Sequence, residues 1–215
     1  MIPLFRDRAD AGRRLGALLH SYAGPQTRVL GLPRGGVPVA AEIAHMLNAP
    51  LDVFVVRKLG VPGHEELAMG AIASSGVQII NADTVASLGI DDALVQAVAE
   101  RERAELERRE AAYRGGLPAH DLAGKTVILV DDGVATGASM YAAIVAVRES
   151  KPEAIVVAVP VAPIETKAAL ERAAEAVVCV ATPEPFRGVG AWYSDFSQTS
   201  DAAVSALLHA GAHAS

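Results

Sequence analysis

Apolar and polar positions along the chain fall into two kinds of run. Short unbroken β-branched or aliphatic stretches read as strands buried on both faces of a parallel sheet. Longer stretches, with apolar positions recurring every three to four residues, read as the helices that cover it. Strand-like runs lie at residues 29–32, 53–58, 127–130, 155–160 and 177–181. Helices are predicted over residues 8–22, 37–47, 91–114 and 165–174. The third carries interleaved Glu and Arg, the mark of a solvated helix supported by spaced ion pairs. Regular alternation of strand and helix predicts an α/β fold, a single Rossmann-like domain over residues 1–215 with a parallel central sheet. The stretch LGVPGHEELAMGAIASSG at 59–76 mixes Gly, Pro and charge. Two short apolar runs, 68–73 within it and 77–80 just after it, predict a hairpin preceded by a mobile loop.

Composition narrows the class. Of 215 residues, 51% are hydrophobic and only 4% aromatic, so Ala and Val must supply most of the packing. A net charge of -6 and a pI near 5.5 argue against a nucleic-acid partner, which needs a basic face. Cys179 is the single cysteine and lies in the apolar run 176–181, which makes it a core residue and excludes a disulfide framework. The six histidines lack metal-ligand spacing, and His45 reads as helix packing. No apolar stretch reaches spanning length, and the start, IPLFRDRADAGRRLG, lacks the apolar segment of a secretory signal. A cytoplasmic protein without membrane contact is the expectation.

The chemistry concentrates in VILVDDGVATGAS. The strand 127–130 delivers two adjacent carboxylates, Asp131 and Asp132, at its carboxyl end, the edge that faces the ligand crevice in open α/β sheets. A turn of mostly small residues follows, through Gly133, Val134, Ala135, Thr136, Gly137, Ala138 and Ser139. Backbone amides there can converge on an anion, and the next helix adds its positive end. No Gly-Lys-Ser/Thr follows, which disfavours a nucleotide P-loop. A sugar diol or a metal ion would relieve the repulsion between the carboxylates.

A second turn, Pro33-Arg34-Gly35-Gly36, joins the strand 29–32 to the helix 37–47. Paired glycines let the backbone approach an anion, and Arg34 brings fixed positive charge. Arg57 and Lys58 close the strand-like run 53–58. His64, Glu65 and Glu66 are polar candidates in the loop that follows. Near the end, PEPFRGVGAWYSDFSQ gathers Phe186, Trp192, Tyr193 and Phe196 beside Arg187 and Asp195. Such rings can stack on a planar heterocycle, or form a small satellite core.

VILVDDGVATGAS closely resembles the phosphoribosyl pyrophosphate signature of the type I phosphoribosyltransferases, and the Arg34-Gly35-Gly36 turn is similar to that family's pyrophosphate loop. The resemblance implies the type I fold, with a flexible loop that closes over the substrates and a small hood expected around 60–80 and 183–200. It implies that Asp131 and Asp132 hold the ribose hydroxyls and that residues 134–139 wrap the 5′-phosphate. Arg34, Gly35 and Gly36, with Arg57 and Lys58, would take pyrophosphate, and Asp131, Asp132, Arg34 and Lys58 would act in catalysis. It also implies a cis Pro33–Arg34 peptide and an acceptor stacked among Phe186, Trp192, Tyr193 and Asp195. Ala135 stands where some purine enzymes carry an acidic base, so this turn supplies no carboxylate to an incoming base.

The expected activity is magnesium-dependent transfer of phosphoribose from phosphoribosyl pyrophosphate to a nitrogen acceptor, with Mg²⁺ carried by the ligand near Asp131 and Asp132 rather than by a protein cage. The alternative is a non-catalytic regulatory or nucleotide-sensing protein on the same fold. Self-association into a homodimer is left open, as is the identity of the acceptor.

Overall fold

The computed structural model describes residues 2–74 and 76–212. The side chains of Glu65 and Glu66, two of the loop candidates, lie outside the described part. Five parallel strands form the central sheet: β1 (Thr27–Gly31), β2 (Leu51–Val53), β6 (Thr126–Val130), β7 (Ala154–Val161) and β8 (Ala176–Ala181), in the order β2-β1-β6-β7-β8. The α/β fold with a parallel sheet is therefore as expected.

Strand periodicity explains how both faces are covered. Ile128, Val130, Val156 and Ala158 point into one apolar cluster, with Leu15 and Leu19 of the α1 region (Arg8–Leu18) and Val37, Ala40 and Ile43 of α2 (Gly36–Leu47). Val127, Leu129, Ile155, Val157 and Val159 point the other way. They meet Met140, Ile144 and Val147 of α5 (Ala138–Arg148) and Leu170 of α6 (Ile164–Glu171).

A second, antiparallel sheet of β3 (Val56–Val61), β4 (His64–Ala73) and β5 (Gln78–Ile80) stands beside the first. The run 53–58, expected as one strand, is thus divided between two sheets. Phe54 and Val55 make the crossing. The Phe54 amide still donates to the Gly31 carbonyl of the central sheet, whereas the Val55 amide donates to the Ser74 hydroxyl and the Val55 carbonyl accepts from the Ser74 amide. Both side chains are buried, in opposite clusters, so the chain changes sheets without exposing apolar surface.

The stretch after it is paired as strand where a loop was expected ahead of the hairpin. Residues 59–61 pair with β4 across a bulged register, and only Pro62 and Gly63 turn, Gly63 at a φ of 81°. Leu59, Val61 and Met69 supply the reason, because they bury against Val95, Val98, Ala99 and Leu106 of α4. That helix, Asp92–Arg114, starts where expected, with the Asp91 carboxylate accepting from the Leu94 amide. Its charged face is more than solvated decoration, since Glu102 and Arg114 pair with Arg57 and Asp52 outside the helix.

The opening helix stops at Leu18, short of the expected Tyr22, and residues 20–22 form a separate 3-10 turn. Two helices go beyond the elements read from the pattern, α3 (Ala82–Ser87) and α7 (Asp201–Ala212).

The 183–200 segment is anchored to the N-terminus. The Leu4 and Phe5 amides both donate to the Trp192 carbonyl at 2.9 Å, and the Ser194 amide donates back to Phe5. Phe5, Ala11, Val161, Trp192 and Tyr193 form a third apolar cluster beneath this segment.

Candidate active site

β1 and β6 are neighbours in the sheet, so the turns at their carboxyl ends lie side by side. The β6 turn is shaped by two glycines at positive φ, Gly133 at 146° and Gly137 at 75°. Any side chain at Gly133 would also strike Val189 and Val161. The turn is held from outside: the Val134 amide donates to the Val161 carbonyl, and Thr166 Oγ1 donates to the Ala135 carbonyl at 2.7 Å. The backbone N–H groups of Ala135, Thr136 and Gly137 meet no acceptor among the described residues. Together with the start of α5 they form a donor-rich concavity suited to an anion.

Gly35 and Gly36 sit against Asp132 and Asp131 across the crevice, and the Pro33–Arg34 peptide is cis. The glycines serve a purpose different from the one expected of them. Neither has positive φ, and the space beside each is filled by protein. A Cβ on Gly35 would lie 1.9 Å from Asp132 Oδ2, and one on Gly36 would lie 2.5 Å from the Val130 carbonyl oxygen. They are needed first to bring the two turns together. Arg34 Nη1 lies 3.7 Å from Asp201 Oδ1, and that oxygen also accepts from the Tyr113 hydroxyl at 3.1 Å.

Arg57 and Lys58 do not act as a pair. Successive residues of a strand face opposite sides of the sheet. Arg57 turns to α4, where its Nε donates to Glu102 Oε2 at 2.9 Å. Lys58 faces a cavity of about 560 Å³, whose walls include Ala68, Ile79, Tyr141 and Leu170 and whose floor includes Thr136, Gly137, Ala138 and Ser139. Lys58 thus belongs with the β6 turn and Arg57 with the scaffold.

The aromatic cluster also divides. Trp192 and Tyr193 are buried in the third apolar cluster, so the expectation that they stack on an acceptor is corrected. Composition could not separate ring packing from ring presentation. Phe186 packs against the same cluster, and Asp195 Oδ1 accepts from the Ser197 amide at 2.9 Å. Phe196, 37% exposed, is the ring presented at the surface.

Sequence reasoning missed Arg8 at the acidic pair and gave Tyr193 a different place, among the rings for an acceptor. Arg8 Nε donates to Asp132 Oδ2 at 2.8 Å, and the Tyr193 hydroxyl donates to the Asp132 carbonyl at 2.6 Å. Nothing local in the sequence marks contacts that span 124 and 61 residues. Burial, then the neighbouring charge of Asp132, holds the Asp131 carboxyl well above the usual carboxylate range. Burial also raises Asp132, against the opposing pull of Arg8. Burial raises the Tyr193 phenol, with the charge of Asp132 adding to the effect, and keeps the hydroxyl a neutral donor.

Two largely buried carboxylates that can accept from hydroxyl groups, a donor-rich turn and a second Arg-bearing turn pressed against them thus meet at one crevice. The model of the phosphoribosyl transferase domain matches residues 6–186, and the chain belongs to that family. Two Mycobacterium tuberculosis proteins, from strains CDC 1551 / Oshkosh and ATCC 25618 / H37Rv, each named "Putative phosphoribosyl transferase", are 48% identical to it over 205 residues. Those residues are 95% of this chain but 46% of theirs, so it spans about half the length of these relatives. Among solved structures, TT1426 from Thermus thermophilus superposes with a TM-score of 0.85 at 42% identity, covering 97% of this chain and 98% of that one.

Proposed function

We propose that the chain transfers phosphoribose from phosphoribosyl pyrophosphate to a nitrogen acceptor, with release of pyrophosphate. The observation that carries this reading is the contact of Gly35 with Asp132, which sets a ribose-type carboxylate pair directly against an Arg-Gly-Gly turn. Asp131 and Asp132 take the ribose hydroxyls, and the free amides of the 135–137 turn take the 5′-phosphate. Lys58, across the cavity from that turn, adds its counter-charge, while Arg34 and the Gly35-Gly36 backbone take the diphosphate. In the reaction the C1–O bond to pyrophosphate breaks and a C1–N bond forms, and the acceptor nitrogen loses its proton. Arg34 stabilises the departing charge, and the acidic pair favours the positive character that develops on the ring.

Among the described residues no group of three or more His, Cys, Asp or Glu side chains is disposed to hold a metal ion. Asp131 and Asp132 nevertheless fit a ligand-borne Mg²⁺, which would neutralise diphosphate oxygens while keeping most of its own waters. No described helix is long and apolar enough to cross a membrane. A cytoplasmic location goes with this reading, because its substrates are charged.

The test is to incubate the protein with Mg²⁺, phosphoribosyl pyrophosphate and a panel of nucleobases and simple amines, and to follow pyrophosphate release. Release that depends on one acceptor supports the transferase. Tight binding without release for every acceptor would sink it in favour of a sensor.

The division between Arg57 and Lys58 makes a separate expectation. Arg57→Ala lowers stability by about 1–2 kcal/mol, between the worth of exposed and buried ion pairs. Lys58→Ala leaves the melting temperature unchanged and weakens ribose 5-phosphate binding by roughly tenfold, the loss of one charge-assisted contact. Denaturant titration and calorimetry on the two variants would refute the division if both act alike.

A further inference from the structure

Asp132 is gripped by a residue from the opposite end of the chain. Arg8, the first residue of α1, makes three separate contacts. Its Nε donates to Asp132 Oδ2 at 2.8 Å, its Nη1 donates to the Ser197 carbonyl at 2.7 Å, and its guanidinium carbon lies 4.0 Å from the centroid of the Phe196 ring. The Arg8 and Asp132 side chains are only 12% and 14% exposed. Two hydrogen bonds and a stacked ring fix both the position and the plane of a guanidinium. Charge balance alone would need only one contact.

The carboxylate is held from other directions as well. Oδ2 abuts the Gly35 Cα, the backbone carbonyl accepts from Tyr193, and the amide donates to Asp131 Oδ1. With Oδ2 committed to Arg8, Oδ1 is the oxygen left to accept from a ligand hydroxyl. The same guanidinium reaches Ser197 and Phe196, the outer part of the C-terminal hood, and so ties that segment to the acidic pair.

We propose that Arg8 is a positioning residue of the ribose site: it aims the Asp132 carboxylate at the sugar and, through Ser197 and Phe196, clamps the C-terminal hood over it. The first half rests on the phosphoribosyl reading, and the second stands without it. Arg8 also offsets one negative charge of the acidic pair. A carboxylate oriented by one Arg donor still has lone pairs for a sugar hydroxyl, so Arg8 need not leave when the ligand enters.

The experiment uses the full chain with Arg8→Gln and Arg8→Lys, probed by calorimetry with ribose 5-phosphate and with inorganic pyrophosphate, and by amide hydrogen exchange without ligand. For Arg8→Gln we expect ribose 5-phosphate affinity to fall about tenfold or more while pyrophosphate affinity stays within about twofold. Exchange at residues 195–197 should quicken by about tenfold or more in the same variant. Arg8→Lys restores the charge but not the fork, so it should recover most of the sugar affinity while the hood amides stay fast.

Equal loss of both ligands would overturn the proposal by exposing a general disruption. Unchanged sugar affinity with unchanged exchange would overturn it as well. If Arg8→Gln does not fold, Arg8→Lys decides: fast hood amides with sugar affinity kept support the proposal, and protected amides overturn it. A wild-type protein that binds neither ribose 5-phosphate nor phosphoribosyl pyrophosphate defeats the phosphoribosyl reading and the aiming role with it. Exchange at 195–197 then decides the clamp.

Discussion

Asp131→Asn is expected to weaken phosphoribosyl pyrophosphate binding by about 10–100-fold, the worth of one to two hydrogen bonds to a charged acceptor. The same variant is expected to be at least as stable as wild type at neutral pH. The environment of the pair is why the two outcomes coincide here. Burial and the adjacent Asp132 hold the Asp131 carboxyl well above the ordinary value of 3.8, so its ionised form is uncomfortable in the folded chain. An amide keeps the acceptor for the Asp132 N–H, 2.8 Å away, and removes the repulsion. Asp132→Asn should differ, because it takes away the charge partner of a largely buried Arg8 and lowers the melting temperature.

A pH series separates this explanation from a generic one. Between the ordinary carboxylate value and the raised one, the folded chain holds more protons at Asp131 than the unfolded chain does. Stability from this group therefore falls as pH rises through that window, opposite to a carboxylate whose value is depressed by a partner. Glu105 is of that second kind, drawn down to about 2 by hydrogen bonds from Arg108 and Arg109. Melting temperatures of wild type and Asp131→Asn, measured from about pH 4 to about pH 8, should diverge in favour of the variant as pH rises. Parallel curves would refute the assignment of strain to Asp131.

Gly35→Ala is expected to abolish ribose engagement and to lower stability by about 1–3 kcal/mol, the usual range for overpacking. The added methyl would fall 1.9 Å from Asp132 Oδ2 and 2.5 Å from its Cγ. A side chain could ordinarily swing aside, but this one is pinned by Arg8. Relief therefore breaks the ion pair or separates the two turns, and either disorganises the ribose site. Gly36→Ala makes the informative comparison, because its methyl would meet the backbone of Val130 and Asp131. Backbone cannot swing, so that variant should be less stable than Gly35→Ala. Denaturant titration with ribose 5-phosphate calorimetry on both would decide. A Gly35→Ala protein with wild-type affinity would remove Asp132 from the ligand site.

Both turns could be recognised from the sequence because their chemistry is local. A buried strand such as 127–130 puts whatever follows it at the crevice, and Gly133 and Gly137 announce a turn that other residues could not make. The same locality misled at 53–58. VFVVRK is apolar through its first four residues, three of them β-branched, and nothing in six residues shows that Phe54 and Val55 carry the chain from one sheet to another. Once that crossing is known, strand alternation alone assigns Arg57 to α4 and Lys58 to the cavity. The second sheet was hidden for a related reason: Gly60, Pro62 and Gly63 resemble a loop, whereas Leu59, Val61 and Met69 are strand residues because α4 covers them.

The aromatic residues near the C-terminus carried an ambiguity that no local pattern resolves. A ring that packs and a ring that binds a ligand have the same composition, and burial against Phe5 and Val161 is what separates Tyr193 from Phe196. The role of the paired glycines shifted likewise. Their small size was evident at once, but the neighbour that demands it, Asp132, lies almost a hundred residues further on.

The strands 127–130, 155–160 and 177–181, the turns that follow 29–32 and 127–130 and hence the kinds of group those turns offer follow from the amino-acid sequence alone, because backbone preference and hydrophobic period act over a few residues. Which charges meet follows only from the folded arrangement. Arg8 with Asp132, Arg57 with Glu102 and Arg34 near Asp201 are pairs between distant segments. Attraction between charges falls off with distance and with exposure to water, so an ion pair exists only where the packed sheet and helices bring its partners within a few ångströms.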